Sequence, residues 1–125
     1  MDVNIVLDTN AVLYFMAGRL VEPLPQANLC ISVITEIELL SYPMLKPEDE
    51  KQIRQLFNNV TIIDLNNSIK ESAIYFRRNY RLKLPDALII ATAHFLNARL
   101  FTNDIKLLNI KEIPVISLAL KNESS

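Results

Sequence analysis

From Val3 to Leu118, short apolar runs of strand length alternate with longer stretches of helical character. No other feature narrows the fold as much. Residues 3–7, 28–33, 60–63, 99–102 and 114–118 read as strands: brief, apolar and rich in β-branched residues. Between them lie helix signals. Thr9 or Asn10 caps a helix over 11–17, and Gly18 ends it. Ser32 or Thr35 opens a second, which runs to about Tyr42 before Pro43 stops it. Pro47, followed by Glu48, Asp49 and Glu50, starts a third that reaches about Asn58. Asn67 or Ser68 caps a fourth through Tyr80, Pro85 begins a fifth to about Leu96, and 104–108 reads as a short sixth. Strands alternating with helices form βαβ units, so the expected fold is a three-layer α/β/α domain around a parallel sheet of about five strands. We expect one domain over residues 1–120 and a frayed polar tail over 121–125.

Composition removes several classes of function. Half of the 125 residues are apolar, enough for a core and too many for a disordered chain. Gly18 is the only glycine. Dinucleotide and Walker-type phosphate loops need several glycines for close backbone approach, so any phosphate chemistry must use side chains and metal. Cys30 is the single cysteine and sits in an apolar run, which fits a buried small hydrophobe in a reducing compartment. The amino terminus carries Asp2 and has no basic segment ahead of an apolar one, so we expect no signal peptide. No apolar run approaches the ~20 residues of a membrane span, and a cytoplasmic protein is expected. The net charge of −1 does not advertise a nucleic-acid partner. The one local basic excess is Arg77, Arg78, Arg81 and Lys83, just ahead of Asp86.

Acidic residues stand where the apolar runs stop. Asp8 ends the first, and Asp104 closely follows the run through Phe101 and Thr102. Asp86 lies in the first turn of the helix begun by Pro85, and Glu36 and Glu38 lie in the helix after residues 28–33. Ligands in parallel α/β sheets gather beyond the carboxyl ends of the strands. Each acid also has an ordinary reading: Asp8 as a turn or cap residue, Asp86 as a dipole partner, Asp104 as a cap. Their recurrence tells against all of these together, because three of six aspartates fall at such places. Carboxylates converging without His or Cys suit hard, oxygen-seeking cations such as Mg²⁺ or Mn²⁺, and such clusters handle phosphate. A helical wheel over 33–41 centres its apolar face on Ile37 and sets Glu36 and Glu38 on opposite flanks, at about 100° per residue, so spacing does not choose between them.

Other polar and aromatic residues have plainer roles. His94 lies two helical turns beyond Asp86, too far to serve a metal there, and reads as packing or surface. Tyr75, Phe76 and Tyr80 read as residues that pack their helix. The basic group at 77–83 reads either as a solvated helix end, where the dipole favours cations, or as a nucleic-acid contact.

The segments Leu7-Asp8-Thr9-Asn10, Ser32-x-x-Thr35-x-x-Glu38-Leu39, Asp86-Ala87-Leu88-Ile89-Ile90-Ala91-Thr92-Ala93 and Thr102-Asn103-Asp104 occur in an order and spacing that resembles the PIN-domain nucleases, most closely the VapC-type toxins of bacterial toxin–antitoxin pairs. The resemblance spans nearly the whole chain. It implies acidic site residues at Asp8, Glu38, Asp86 and Asp104, with Asn10 and Thr102 in support, and so selects Glu38 over Glu36. Asp8, Asp86 and Asp104 would be metal ligands; apart from the resemblance, the local basic excess makes Arg77, Arg78, Arg81 and Lys83 candidates to bind nucleic acid. The resemblance further implies an endoribonuclease dependent on Mg²⁺ or Mn²⁺, an RNA substrate, a homodimer, and an antitoxin that inserts a segment into the active-site groove. The sequence departs from the pattern at Ser41-Tyr42-Pro43, where such toxins often carry a glycine; this bears on the local turn and not on the carboxylate.

Two rival readings follow from the same residues. One is a PIN-like RNA-binding or scaffold module without catalysis, which a missing acid would favour; none of the four is missing. The other is a haloacid-dehalogenase-like phosphohydrolase with Asp8 as nucleophile. That chemistry wants a second aspartate two residues on, and Asn10 stands there.

Overall fold

The computed structural model describes residues 3–122. The amino-terminal residues 1–2 and the tail residues 123–125 lie outside the described residues, so the signal-peptide and frayed-tail readings are not addressed by it. Five strands, β1 (Asn4–Leu7), β2 (Asn28–Ser32), β3 (Thr61–Ile63), β4 (Arg99–Phe101) and β5 (Val115–Ile116), form one parallel sheet in the order β3-β2-β1-β4-β5. Five helices connect them: α1 (Thr9–Met16), α2 (Val33–Leu40), α3 (Pro47–Leu56), α4 (Asn67–Tyr80) and α5 (Leu84–Phe95).

Strand order decides the layers. The chain steps from β1 to β2 to β3 in one direction, then crosses back over β1 to place β4 on its other side. Parallel crossovers keep a right-handed turn, so reversing direction moves the connecting helices to the opposite face. Side-chain alternation serves both faces. Val6, Cys30 and Leu100 pack with Ile69, Ala73 and Phe76 of α4 and with Ala87–Ala93 of α5. Ile5, Leu7, Ile31 and Phe101 point the other way, onto Ala11 and Val12 of α1, Leu39 of α2 and Ile53 of α3. This is the expected three-layer arrangement, with strands buried on both faces. No helix among the described residues is long and apolar enough to cross a membrane.

Several local expectations are corrected. The cap of α1 is Asp8, whose Oδ1 accepts from the Ala11 N–H at 2.8 Å, and not Thr9 or Asn10. Asn66, one residue ahead of the expected cap, performs the same service for α4 through Ile69 N–H at 2.8 Å. Residues 105–109 form turns and no helix, because only bonds of the i→i+3 kind close there, such as Leu107 N–H to the Asp104 carbonyl. The final strand is reduced to Val115–Ile116, its edge beyond continuing as a bridge between Leu20 and Leu120. The wheel of α2 is rotated from expectation. Thr35 and Leu39 are buried, while Ile37 is 55% exposed. The helix ends at Leu40, and the sheet and α3 claim the face through positions 35 and 39, which hydropathy had ranked below Ile37.

Phe76 and Tyr80 of α4 pack as expected, while Tyr75 is exposed and held by its hydroxyl. Phe76 is buried and stands edge-on to Tyr75 and to exposed His94, whose Nδ1 lies 3.5 Å from Ser72 Oγ. The Tyr75 and Tyr80 hydroxyls both donate to the Glu112 carboxylate, fastening the β4–β5 connection to α4.

The rotated α2 register has a measurable consequence. Leu39→Ala empties a core position and should cost about 2–5 kcal/mol. Ile37→Ala trims an exposed side chain and should change stability by less than about 0.5 kcal/mol. Urea denaturation of the two variants reads the difference, and equal losses would return Ile37 to the core.

Candidate active site

The sheet order sets one crevice apart. Between β1 and β4 the connections leave in opposite directions, and ligand sites of open α/β sheets lie beyond the strand ends at such a point. Leu7 of β1 pairs with Phe101 of β4, and Asp8 N–H reaches on to the Phe101 carbonyl at 3.3 Å. The next residues along each strand, Asp8 and Thr102, therefore meet side by side.

Asp8 is held on both oxygens and is only 6% exposed. Oδ1 caps α1 through Ala11, and Oδ2 accepts from the hydroxyl of fully buried Thr102. Thr102 Oγ1 in turn accepts from Asp104 N–H at 3.0 Å. One hydroxyl thus fixes the Asp8 carboxylate and the start of the turn that carries Asp104. The Asp104 carboxylate also accepts from Lys106 N–H at 3.0 Å within its own turn. The cap reading of Asp8 holds; Asp104 caps no helix, since 105–109 are turns, and its carboxylate instead fastens its own turn, and neither role consumes every lone pair of a carboxylate.

Two more acids arrive on helices. Pro85 sets the first turn of α5 and Asp86 stands in it, half-buried, with no side-chain hydrogen bond among the described residues. Glu38 lies on the exposed side of α2, where its Oε1 accepts from the Thr9 hydroxyl at 2.6 Å; Thr9 Oγ1 also lies 3.2 Å from the hydroxyl of buried Thr35. Thr9 and Thr35 did not emerge from the sequence as site residues. Thr9 stood next to Asp8 in the first motif, and Thr35 stood three positions before Glu38, one helical turn away, and that spacing was the available signal. Asn10 is exposed on α1 and makes no side-chain hydrogen bond among the described residues. Glu36 is half-buried and has no such link to the crevice.

Electrostatics shows that these acids face each other. Burial raises the Asp8 carboxyl above its usual range; the bonds from Thr102 and Ala11 oppose this, and the charges of Asp104 and Asp86 add to it. Asp86 is likewise raised, first by burial and then by Asp104, with Glu38 adding and Lys106 and Lys83 opposing. Asp8 and Asp86 thus feel the charges of their acidic neighbours, and at Asp86 the cations Lys106 and Lys83 only partly offset them. Among the described residues no three Asp, Glu, His or Cys side chains stand close enough to hold a metal ion as they are placed. The donors are nevertheless all oxygen, from Asp and Glu alone, and two of them carry an ionisation cost that a bound divalent cation would relieve. In kind, the residues fit a hard cation.

An apolar cleft of about 320 Å³ opens beside Glu38 and Thr9, lined by Leu13, Leu39, Tyr42, Leu45 and Ile53. It runs on between α1 and α3 past Met16, Ala17 and Gln52.

Comparison with known proteins agrees with this layout. The PIN domain family model matches residues 5–113. A chain of a toxin–antitoxin complex from Klebsiella pneumoniae is 31% identical, with a TM-score of 0.75 over 89% of this chain and 94% of that one. The structure of VapBC-1 from nontypeable Haemophilus influenzae is 24% identical, with a TM-score of 0.75 over 91% and 97%. The DNA-bound VapBC from Salmonella typhimurium is 18% identical, with a TM-score of 0.76 over 92% and 98%. The latter two show the fold alone. Among curated proteins none matches.

The coupled carboxylates predict a stability gain on neutralising one of them. Unfolded, Asp86 ionises near 3.8; folded, it ionises at higher pH. The native state therefore binds this proton more tightly, so ionisation at neutral pH costs stability. Asp86→Asn should raise the melting temperature at pH 7 in chelator. The advantage should shrink as pH falls through the raised native value toward 3.8. Melting curves across that range check the sign, and a variant less stable at pH 7 would contradict it.

Proposed function

The chain belongs to the PIN-domain family, and we propose that it is a metal-dependent endoribonuclease, the toxin of a toxin–antitoxin pair, with its nuclease domain spanning residues 1–120. The observation that carries the reading is Asp86: an acid half-removed from water, with no hydrogen-bond partner among the described residues, set against three other carboxylates at the switch point of the sheet. A plain surface acid gains nothing from such a place.

Asp8, Asp86 and Asp104 are the proposed metal ligands, directly or through water, for Mg²⁺ or Mn²⁺. Such an ion, when bound, lowers the pKa of water and offsets charge on a phosphodiester. The rest falls to the chain. Thr102 holds Asp8 and Asp104 in register. Thr9 and Thr35 steady Glu38, which orients the attacking water or helps to hold metal, and Asn10, on the exposed side of α1, positions a water or a phosphate oxygen. A buried Asp8 with both oxygens engaged suits a fixed ligand and not the freely swinging nucleophile of a phosphoaspartate enzyme.

The proposed partner is a cognate antitoxin. The first of the solved relatives is a toxin–antitoxin complex. The apolar cleft ending at Glu38 gives an inserted segment both a hydrophobic seat and access to the acids. A homodimer is also proposed; Phe95 on α5 leaves an apolar side chain exposed. The cell compartment proposed is the cytoplasm.

Single-stranded RNA should be cut only with Mg²⁺ or Mn²⁺ present. Asp86→Asn and Glu38→Gln should lose most of that activity, about tenfold for each ~1.4 kcal/mol of transition-state stabilisation lost, while Glu36→Gln keeps the wild-type rate. Activity unchanged in both Asp86→Asn and Glu38→Gln would sink the proposal. Leu13→Asp, which charges the wall of the cleft, should block co-purification with the product of a neighbouring antitoxin reading frame yet leave cutting intact; a complex formed as before would remove the cleft from the interface.

A further inference from the structure

Arg77, Arg78 and Arg81 line a single open cleft of about 520 Å³ with Ile74 and Leu82, at the carboxyl end of α4. Among the described residues none of them forms an ion pair with a carboxylate. A helix dipole favours cations at this end, but it does not require three guanidinium groups on one cavity. Two details go further. Arg81 caps α4 in the left-handed conformation, with φ 55° and ψ 38°. Glycine is the residue that this backbone prefers, and a β-carbon there is strained. An arginine stands where the backbone alone favours glycine. In addition, Arg77 donates through Nε to the Leu82 carbonyl at 3.3 Å, which fixes the plane of its guanidinium and leaves its outer nitrogens for another acceptor.

The cleft is joined to the acidic crevice. Leu82 and Lys83 link Arg81 to the start of α5, and Lys83 is close enough to act on Asp86. Arg81 and Asp86 are five positions apart, an extended span of at most about 18 Å. Four carboxylates repel a polyanion, so a second, cationic foothold at that distance is what an RNA-cutting site needs.

We propose that the Arg77–Arg78–Arg81 cleft binds the RNA backbone a few nucleotides to one side of the bond that is cut, so that the substrate is a single strand with a flank on that side. This rests on the ribonuclease reading. Oriented arginine forks recognise phosphate through paired hydrogen bonds, and each contact on a single strand adds about 0.7 to the slope of log affinity against log salt.

The test uses Arg78→Ala together with Arg81→Gly. The glycine removes the side chain and relieves the left-handed backbone, so the variant should melt at or above the wild-type temperature. Binding of a fluorescent oligoribonucleotide is measured by anisotropy in chelator, where no cutting occurs. The expected result is an affinity at least tenfold lower at moderate salt and a salt slope reduced by about 1.4 for two lost contacts. With metal restored, KM should rise for flanked substrates while kcat holds. Trimming the RNA from one end should lower wild-type kcat/KM, and the variant should be indifferent to that trimming. Unchanged affinity and slope overturn the cleft, whether or not RNA is cut; an acidic protein partner would then be its ligand. A slope that flattens in a protein that cuts no RNA with either metal supports the cleft and rejects the nuclease reading instead.

Discussion

The Thr102 hydroxyl is the joint on which the site depends. It sits just past β4, fully buried, donating to the Asp8 carboxylate past β1 and accepting from the Asp104 backbone. A buried hydroxyl that satisfies two partners costs little, whereas losing either leaves a buried polar group unpaired. Through this one side chain the central strand, its neighbour and the following turn share a single arrangement. Asp8 extends it, because its other oxygen caps α1. Strand ends, helix start and acidic crevice are therefore one hydrogen-bonded unit, and not acids hung separately on a scaffold.

That unit stores electrostatic cost. Asp8 and Asp86 are both raised by burial and by neighbouring carboxylates, while only Lys83 and Lys106 oppose this at Asp86. Folding is marginal, and a protein does not keep such repulsion without return. The return proposed here is affinity for a hard cation and, through it, for phosphate. The arginine cleft proposed to bind RNA answers the same negative field, because a polyanion repelled by four carboxylates needs a cationic surface within reach.

The two faces of α2 show how function and core divide a helix. Thr35 and Leu39 face inward, Glu38 turns toward the crevice beside Thr9, and Ile37 is left outside. A hydropathy wheel sees one apolar face and cannot weigh a threonine that packs and hydrogen-bonds against an isoleucine with nothing above it. Burial here is set by what the sheet and α3 present to the helix.

The sequence alone determined the alternation of strands and helices, the parallel sheet with both faces covered, the acids at the ends of Leu7 and Phe101, and the ends of most helices. These are local matters: period, proline and glycine punctuation, and caps within a few residues. It set Thr9 or Asn10 ahead of Asp8 as the cap of α1 and read a helix at 104–108 where only turns form, and it overextended the last strand, whose length is set by pairing with β4. Its choice of Glu38 over Glu36 came from family resemblance and not from period. Tertiary structure alone decided that β1 lies beside β4, that Thr102 reaches Asp8 across ninety-four positions of sequence, that Thr9 and Thr35 hold Glu38, and that three arginines share one cleft. Such contacts follow from strand order and packing, and no window along the chain is long enough to contain them.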